Sequence, residues 1–279
     1  MAHLLSLVSL VIFLVGSAIS AGDPVMGDWE GTYTTDAGQS GSLYAQVIVE
    51  DVGTYRAIIQ IGYQGPKVEL MGKKKGKKTV FTGQVDVGYD LGGIYNVTAE
   101  VVDSRFTGRF SGAENAGSLE MRKVSKTSPT LGAKPPEGAI VLFDGSSLKA
   151  WQQVDGKPAR WKILREGAME VTRGNIITRQ KFGDCQLHVE FRTPFMPRAR
   201  RELRGNSGVY LQRRYEVQIL DSYGLEPTDN GCGSIYKVAA PQVNASLPPL
   251  EWQTYDIIFY APKFDDAGNK IKDAEITVK

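Results

Sequence analysis

The sequence is poor in the residues that most often announce chemistry. Of its 279 residues only two are cysteine and two are histidine. Neither Cys185 nor Cys232 sits in a C-x-x-C pair, which argues against a zinc site or thiol redox chemistry. Two cysteines are also too few for a disulfide scaffold; whether they pair with each other the sequence leaves open. An excess of one charge is missing as well. The 33 Lys and Arg against 31 Asp and Glu leave a formal net charge of +2, whereas a nucleic-acid binder carries a clear basic excess. Nucleic acid is therefore not an expected partner. No window over 25–124 sustains a 3.6-residue period, so helices should be scarce there. Hydrophobic content of 42% and charged content of 23% are ordinary for a globular protein and exclude global disorder, collagen and coiled coil.

Residues 1–22 hold no Asp, Glu, Lys or Arg. Their apolar run, 4–15, is shorter than the roughly 20 residues of a spanning helix. Gly16, Ser17, Ala18, Ser20 and Ala21 follow it. This pattern predicts an export signal over 1–20, cleaved after about Ala18 or Ser20, and hence a secreted, periplasmic or cell-envelope location. An uncleaved anchor is the alternative. No later stretch approaches a stable membrane span. With the signal gone, His188 is the remaining histidine, so a Ser-His-Asp or Cys-His mechanism would have to run through it.

At roughly 150 residues per domain the length suggests two domains. Residues 25–124 read as a small antiparallel β domain, a sandwich or a barrel. The segments 43–50 (LYAQVIVE), 55–61 (YRAIIQI) and 94–102 (IYNVTAEVV) are rich in β-branched and aromatic residues and are separated by glycine and polar turns. The segments 80–88 and 105–112 share an FTG core, read as recurrent hairpin chemistry. The run KKKGKK at 73–78 reads as a solvated hairpin tip whose lysines blunt an edge; a polyanion site is the alternative. Residues 125–138, with Pro129, Pro135 and Pro136, predict a linker. Asn96 and Asn244 each begin a glycosylation sequon.

The second domain, 139–279, again alternates. In 185–192, Leu187, Val189 and Phe191 point one way and His188, Glu190 and Arg192 the other. In 215–220, Tyr215, Val217 and Ile219 oppose Glu216 and Gln218. Two strands thus present ionisable faces, which read either as a lined binding surface or as a solvated outer face. Glu216 lies on such a face and Asp221 follows the same strand, so the two carboxylates are expected to converge at one end of a cleft. Sugar chemistry needs such a pair, one as acid and one as base or nucleophile. Tyr210, Tyr215, Tyr223, Tyr236 and Trp252 could stack on a sugar ring or pack a core; Trp151 and Trp161 read as core.

The segments FDGSSLKAW at 143–151, NSGVYLQRRYEVQILDS at 206–222, GSIYKVAAPQVNAS at 233–246 and EWQTYDIIFY at 251–260 resemble, in order, the 3-keto-disaccharide (3-keto-glycoside) hydrolase domain family, formerly a domain of unknown function. The resemblance covers 139–279. It implies an all-β fold, a concanavalin A-like jelly-roll sandwich preceded by the small β domain. It further implies cleavage of glycosides whose C3 hydroxyl a partner sugar dehydrogenase has oxidised to a ketone. The family pattern continues past the strand-like end EITVK at 275–279, implying that the domain is C-terminally incomplete here.

A C3 ketone acidifies the C2 proton, so a base can remove it, the C1 substituent can leave, and water can then add. On that chemistry Glu216 is expected as base or acid. Asp221 is expected as the second carboxylate or a metal ligand, or else as a turn-capping residue. Arg192, Lys237 or a divalent cation would stabilise the enolate. His188 and Glu190 share Arg192's face, and Asn206, Gln218, Tyr236 and Trp252 complete the expected substrate contacts. A divalent cation (Ca²⁺, Mg²⁺ or Mn²⁺) stays open as a cofactor. The competing readings are a non-catalytic, lectin-like carbohydrate-binding module and a surface adhesion protein.

Overall fold

The structure, a computed structural model, describes residues 6–13 and 22–279. Among the described residues the regular structure is β-strand apart from two short 3-10 turns, Tyr89–Leu91 and Arg201–Leu203. Two compact units emerge, one of Ile19–Lys126 with Met196–Arg200, the other of Thr127–Phe195 and Arg201–Lys279 joined by the N-terminal strand β1 (Ser6–Phe13). The cleavage region expected at Ala18 or Ser20 lies outside the described residues. Among the described residues no helix is long and apolar enough to cross a membrane.

The first unit settles the sandwich-or-barrel alternative as a closed antiparallel barrel. Its strands are β2 (Gly27–Thr35), β3 (Ser40–Asp51), β4 (Thr54–Ile61), β5 (Lys67–Lys75), β6 (Lys78–Asp86), β7 (Ile94–Val102), β8 (Arg105–Gly112) and β9 (Ala116–Val124). Each pairs with the next, and β9 closes on β2 with Tyr33 opposite Leu119. Alternation supplies the interior: in β7, Tyr95, Val97, Ala99 and Val101 are buried, and the residues between them are not. The two FTG segments place Phe81 and Phe106 in the barrel, stacked with centroids 4.9 Å apart. The lysine run is a hairpin tip, with Lys75 opposite Lys78 and Gly76 at φ 64°.

The second unit carries β10 (Ile140–Val141), β11 (Trp151–Gln153), β12 (Lys162–Ile163), β13 (Met169–Glu170), β14 (Ile176–Thr178), β15 (Cys185–Arg192), β16 (Ser207–Leu211), β17 (Tyr215–Ile219), β18 (Gln253–Tyr260), β19 (Lys263–Phe264), β20 (Lys270–Lys272) and β21 (Glu275–Val278). The main sheet runs β12-β13-β1-β15-β18-β21, with β10 also paired to β1 and with β1 parallel to β15. Small sheets β11-β14, β16-β17 and β19-β20 stand apart from it. One core gathers Leu187, Val189 and Phe191 of β15, Val209 and Leu211 of β16, Val217 and Ile219 of β17, and Tyr255, Ile257 and Phe259 of β18. Burying such stripes from several strands is the main favourable term holding the unit together.

The sequence left the pairing of the cysteines open. The cysteines are not joined: Cys185 and Cys232 are both free and buried. The proline-rich segment is also not a loose linker along its whole length. Ser128 and Thr130 hydrogen-bond Thr254 of β18, Thr130 Oγ1 donates to Asp256 Oδ2 at 2.6 Å, and the Gly132 amide donates to Glu190. Side-chain acceptors on the sheet thus hold a stretch that has no strand partner of its own.

Candidate active site

The residues of 206–222 form the hairpin β16-β17, in which Tyr210 lies opposite Glu216 and Gly208 opposite Gln218. Its turn is unusual, because Gln212 and Arg213 both take left-handed backbone conformations, φ 53° and 58°, closed by the Arg214 amide on the Leu211 carbonyl at 3.1 Å. Val217 and Ile219 enter the core, so alternation turns Glu216 and Gln218 to the opposite face. There the Tyr210 hydroxyl donates to Glu216 Oε2 at 2.6 Å. The Glu216 side chain lies across Gly208: a Cβ at that position would stand 2.7 Å from Glu216 Cγ and closer still to Oε1. The glycine of the N-S-G segment thus clears the space that the carboxylate occupies.

Glu216 and Tyr210 line a cavity of about 780 Å³ together with Asn206, Arg213 and Trp161, and the cavity reaches past the hairpin to core side chains such as Leu187, Val209 and Phe259. That volume lies within the range of small-molecule sites. The Tyr210 hydroxyl is pushed up to about 12, first by its hydrogen bond to the Glu216 carboxylate and then by burial. Next to it the Tyr236 amide donates to the Glu216 carbonyl at 2.9 Å. The Tyr236 hydroxyl donates to Glu202 Oε1 at 2.9 Å, the Asn230 amide donates to the same oxygen at 3.3 Å, and Lys237 Nζ stands 5.2 Å from the centroid of the Tyr236 ring. Those two hydrogen bonds, Tyr236's the larger, hold the Glu202 carboxyl below its usual range. Gln218 is buried beneath, its amide 3.4 Å from the Asn230 carbonyl and its Oε1 without a hydrogen-bond partner. Of the expected residues, Asn206 and Glu216 line the cavity, while Gln218, Tyr236 and Lys237 stand behind Glu216 outside its lining.

Asp221 does not line the cavity. Its carboxylate is buried and bound to Arg204, Nε to Oδ2 at 2.6 Å, with the Tyr223 amide on Oδ1 at 3.4 Å. Burial raises its pKa and Arg204 opposes the rise. The expected convergence of Glu216 and Asp221 in one cleft is thus corrected: Glu216 lines the cavity, while Asp221 locks the loop behind the strand to Arg204.

The polar face of β15 is a third arrangement, outside the cavity lining. His188 Nδ1 stands 2.7 Å from Asp256 Oδ1 and its Nε2 3.4 Å from Glu190 Oε1. Arg192 donates to Glu166 at 3.0 Å and its guanidinium lies 5.2 Å from the centroid of Trp252. Ser128, Thr130 and Gly132 tie onto the same stretch. The surface expected as a single binding face is two faces. The one bearing His188, Glu190, Arg192 and Trp252 is occupied by the hydrogen bonds of His188 to Asp256 and Glu190, by the Arg192–Glu166 ion pair and by the segment that Ser128, Thr130 and Gly132 tie down. Among the described residues no three His, Cys, Asp or Glu side chains assemble as a metal site, and Asp221 Oδ2, expected as a ligand, is taken by Arg204.

Sequence reasoning missed Glu202 and Asn230. Glu202 sits in a short 3-10 turn, Arg201–Leu203, within a run of arginines that reads as solvated charge. Asn244, read as a sequon, spends its amide on the Ser222 and Leu225 carbonyls at 2.6 and 2.7 Å.

No curated protein matches the chain. A crystal structure from Parabacteroides distasonis ATCC 8503, described as a candidate glycosyl hydrolase, matches at 44% identity with a TM-score of 0.48, covering 51% of this chain and 61% of that one. The chain therefore spans less than two thirds of that protein. A redesigned β barrel matches at 14% identity with a TM-score of 0.29, over 37% of this chain and 92% of that one. The 3-keto-alpha-glucoside-1,2-lyase-like domain model matches residues 138–278. With the four motif segments inside that match and their hairpin lining the cavity, the chain belongs to the 3-keto-alpha-glucoside-1,2-lyase-like domain family.

Proposed function

We propose that the protein is a carbohydrate-active enzyme that cleaves 3-keto-glycosides, with the second unit built as a jelly-roll sandwich and the sugar held against β16-β17. The observation that carries this reading is the Glu216 carboxylate on a cavity wall with the Tyr210 hydroxyl 2.6 Å away. Family membership supports the substrate class.

The steps balance as follows. The Glu216 carboxylate takes the proton from C2, and the electron pair of that bond forms the enolate with the C3 carbonyl. As the enolate collapses, the C1–O bond breaks, and the departing oxygen takes the Tyr210 proton. The proton on Glu216 then restores Tyr210. Water adds at C1 and a proton returns to C2, so that the sum is hydrolysis. Stopping before the water step gives an elimination. Lys237 supplies positive charge near the C3 oxygen, and Asn206 binds a ring hydroxyl. Each positioned proton transfer contributes on the order of 10²–10⁴-fold.

The test supplies an aryl 3-keto-glucoside to the full chain and follows release of the phenol. Release that Glu216→Gln abolishes, with the fold retained, supports the reading. Binding without release assigns the domain instead to carbohydrate recognition. Release that survives Glu216→Gln removes Glu216 from the chemistry.

A further inference from the structure

The barrel of the first unit has two unlike ends. At one end its interior is packed solid. Trp29, Tyr55, Phe81, Phe106 and Met121 are fully buried there, with Trp29 edge-on to Phe106 at 5.8 Å. The incoming segment seals that end: Trp29 Nε1 donates to the Val25 carbonyl at 3.1 Å and the Tyr55 hydroxyl to Asp23 Oδ2 at 2.8 Å. At the other end the interior is hollow, a cavity of about 240 Å³ walled by side chains such as Leu43, Ile59, Val85 and Val97. Eight strands enclose enough room for packed side chains or for one small ligand, and this barrel divides its length between the two.

The hollow is held open by close approaches. The ring of Tyr33 lies against Gly41, where a Cβ would stand 2.6 Å from it, and the ring of Tyr95 lies against Gly112, where the distance would be 2.7 Å. Phe110 sits edge-on to both, at 6.2 and 5.6 Å. The aromatic side chains are thus drawn to the wall. The mouth adds a few polar groups, Gln39, Glu114 and Asn115, and the exposed Tyr89, 95% accessible in a turn bounded by Gly88 and Gly92. An apolar chamber with polar groups at its mouth is the general form of a small-molecule site.

We propose that the barrel binds a small, neutral, mostly apolar molecule whose hydrogen-bonding group faces Gln39, Glu114 and Asn115 at the mouth. About 150 Å³ of apolar cavity suffices for benzene, so this one takes a one- or two-ring aromatic or a branched aliphatic of similar size. The site is independent of the sugar chemistry assigned to the other unit.

The test adds 1-naphthylamine, a neutral two-ring fluorophore with one hydrogen-bonding group, to the full chain. Saturable one-to-one fluorescence enhancement is expected, weakened at least tenfold in Val97→Phe, which fills the chamber, with the melting temperature of the barrel maintained. Methyl spectra of the isoleucine-labelled wild type give a second readout that needs no variant: the probe should shift Ile59 and Ile61 and leave Ile257 of the other unit in place. No saturable enhancement, undiminished binding by a folded Val97→Phe, or shifts at Ile257 without Ile59 and Ile61, would each overturn the proposal.

Discussion

Tyr210 and Glu216 face each other across a two-stranded hairpin, and the Tyr210 hydroxyl donates to the Glu216 carboxylate at 2.6 Å. That bond makes the phenol a reporter of its neighbour's charge. A folded-state pKa raised to about 12 favours the neutral phenol, so its contribution to stability is fully present below the unfolded value near 10 and is lost as pH rises through about 12. Ultraviolet titration of phenolate, wild type minus Tyr210→Phe, should show one tyrosine ionising late. In Glu216→Gln that tyrosine should titrate closer to pH 10. An unchanged late titration in Glu216→Gln would mean that the carboxylate does not set it.

Gly208 makes the second prediction. In Gly208→Ala the new methyl must displace the Glu216 side chain, which lies across that position. Because the end of that chain is flexible, the fold should survive with a modest loss of stability. Turnover of a 3-keto-glycoside should fall by about tenfold or more, since small misplacements of a catalytic group are costly. Steady-state kinetics alongside a thermal melt separate the two effects.

The Arg204–Asp221 pair makes a third. Both side chains are buried, and removing one partner strands the other charge. Arg204→Leu should cost about 3–5 kcal/mol, whereas Arg204→Leu with Asp221→Leu should cost less. Denaturant unfolding measures both. If Asp221 acts only through this pair, the double variant, where folded, keeps its turnover.

The cysteines make a fourth. Burial pushes both thiols up, more than any other influence on them, and a thiol that is neither accessible nor ionised is unreactive. A chromogenic thiol reagent should find Cys232 only after denaturation, while Cys185, which lines the cavity, should react slowly in the native protein. Mobility on a denaturing gel should not change with reductant.

What the sequence disclosed and what it hid follow the same physical line. Alternation is local, so the faces of 185–192 and 215–219 could be assigned residue by residue, and the structure agrees at Leu187, Val189, Phe191, Val217 and Ile219. Barrel closure is not local: nothing in Gly27–Thr35 announces that Ala116–Val124 will pair with it. The same holds at the sites. Glu216 finds Tyr210 six residues away, within one hairpin, so the face of Glu216 was legible, but Tyr210 read as a ring for stacking and the bond itself was not. Asp221 finds Arg204 across a loop, His188 finds Asp256 across two strands, and Thr130 finds Asp256 from the proline-rich segment. At Asp221 and His188 the partner satisfied a polar group that, taken alone, looked free to meet a substrate.

The left-handed pair Gln212–Arg213 carries a last consequence. A strand has a repeat of two, so sliding one arm of the hairpin by a single residue would exchange its faces, sending Glu216 into the oily interior and Val217 to the water. A turn with both central residues at positive φ is sterically demanding and accepts few alternative registers. The placement of the acid is therefore governed by the handedness of a bend several residues away, and mutations that relax that bend should blunt the chemistry while leaving every acidic and phenolic group in the sequence.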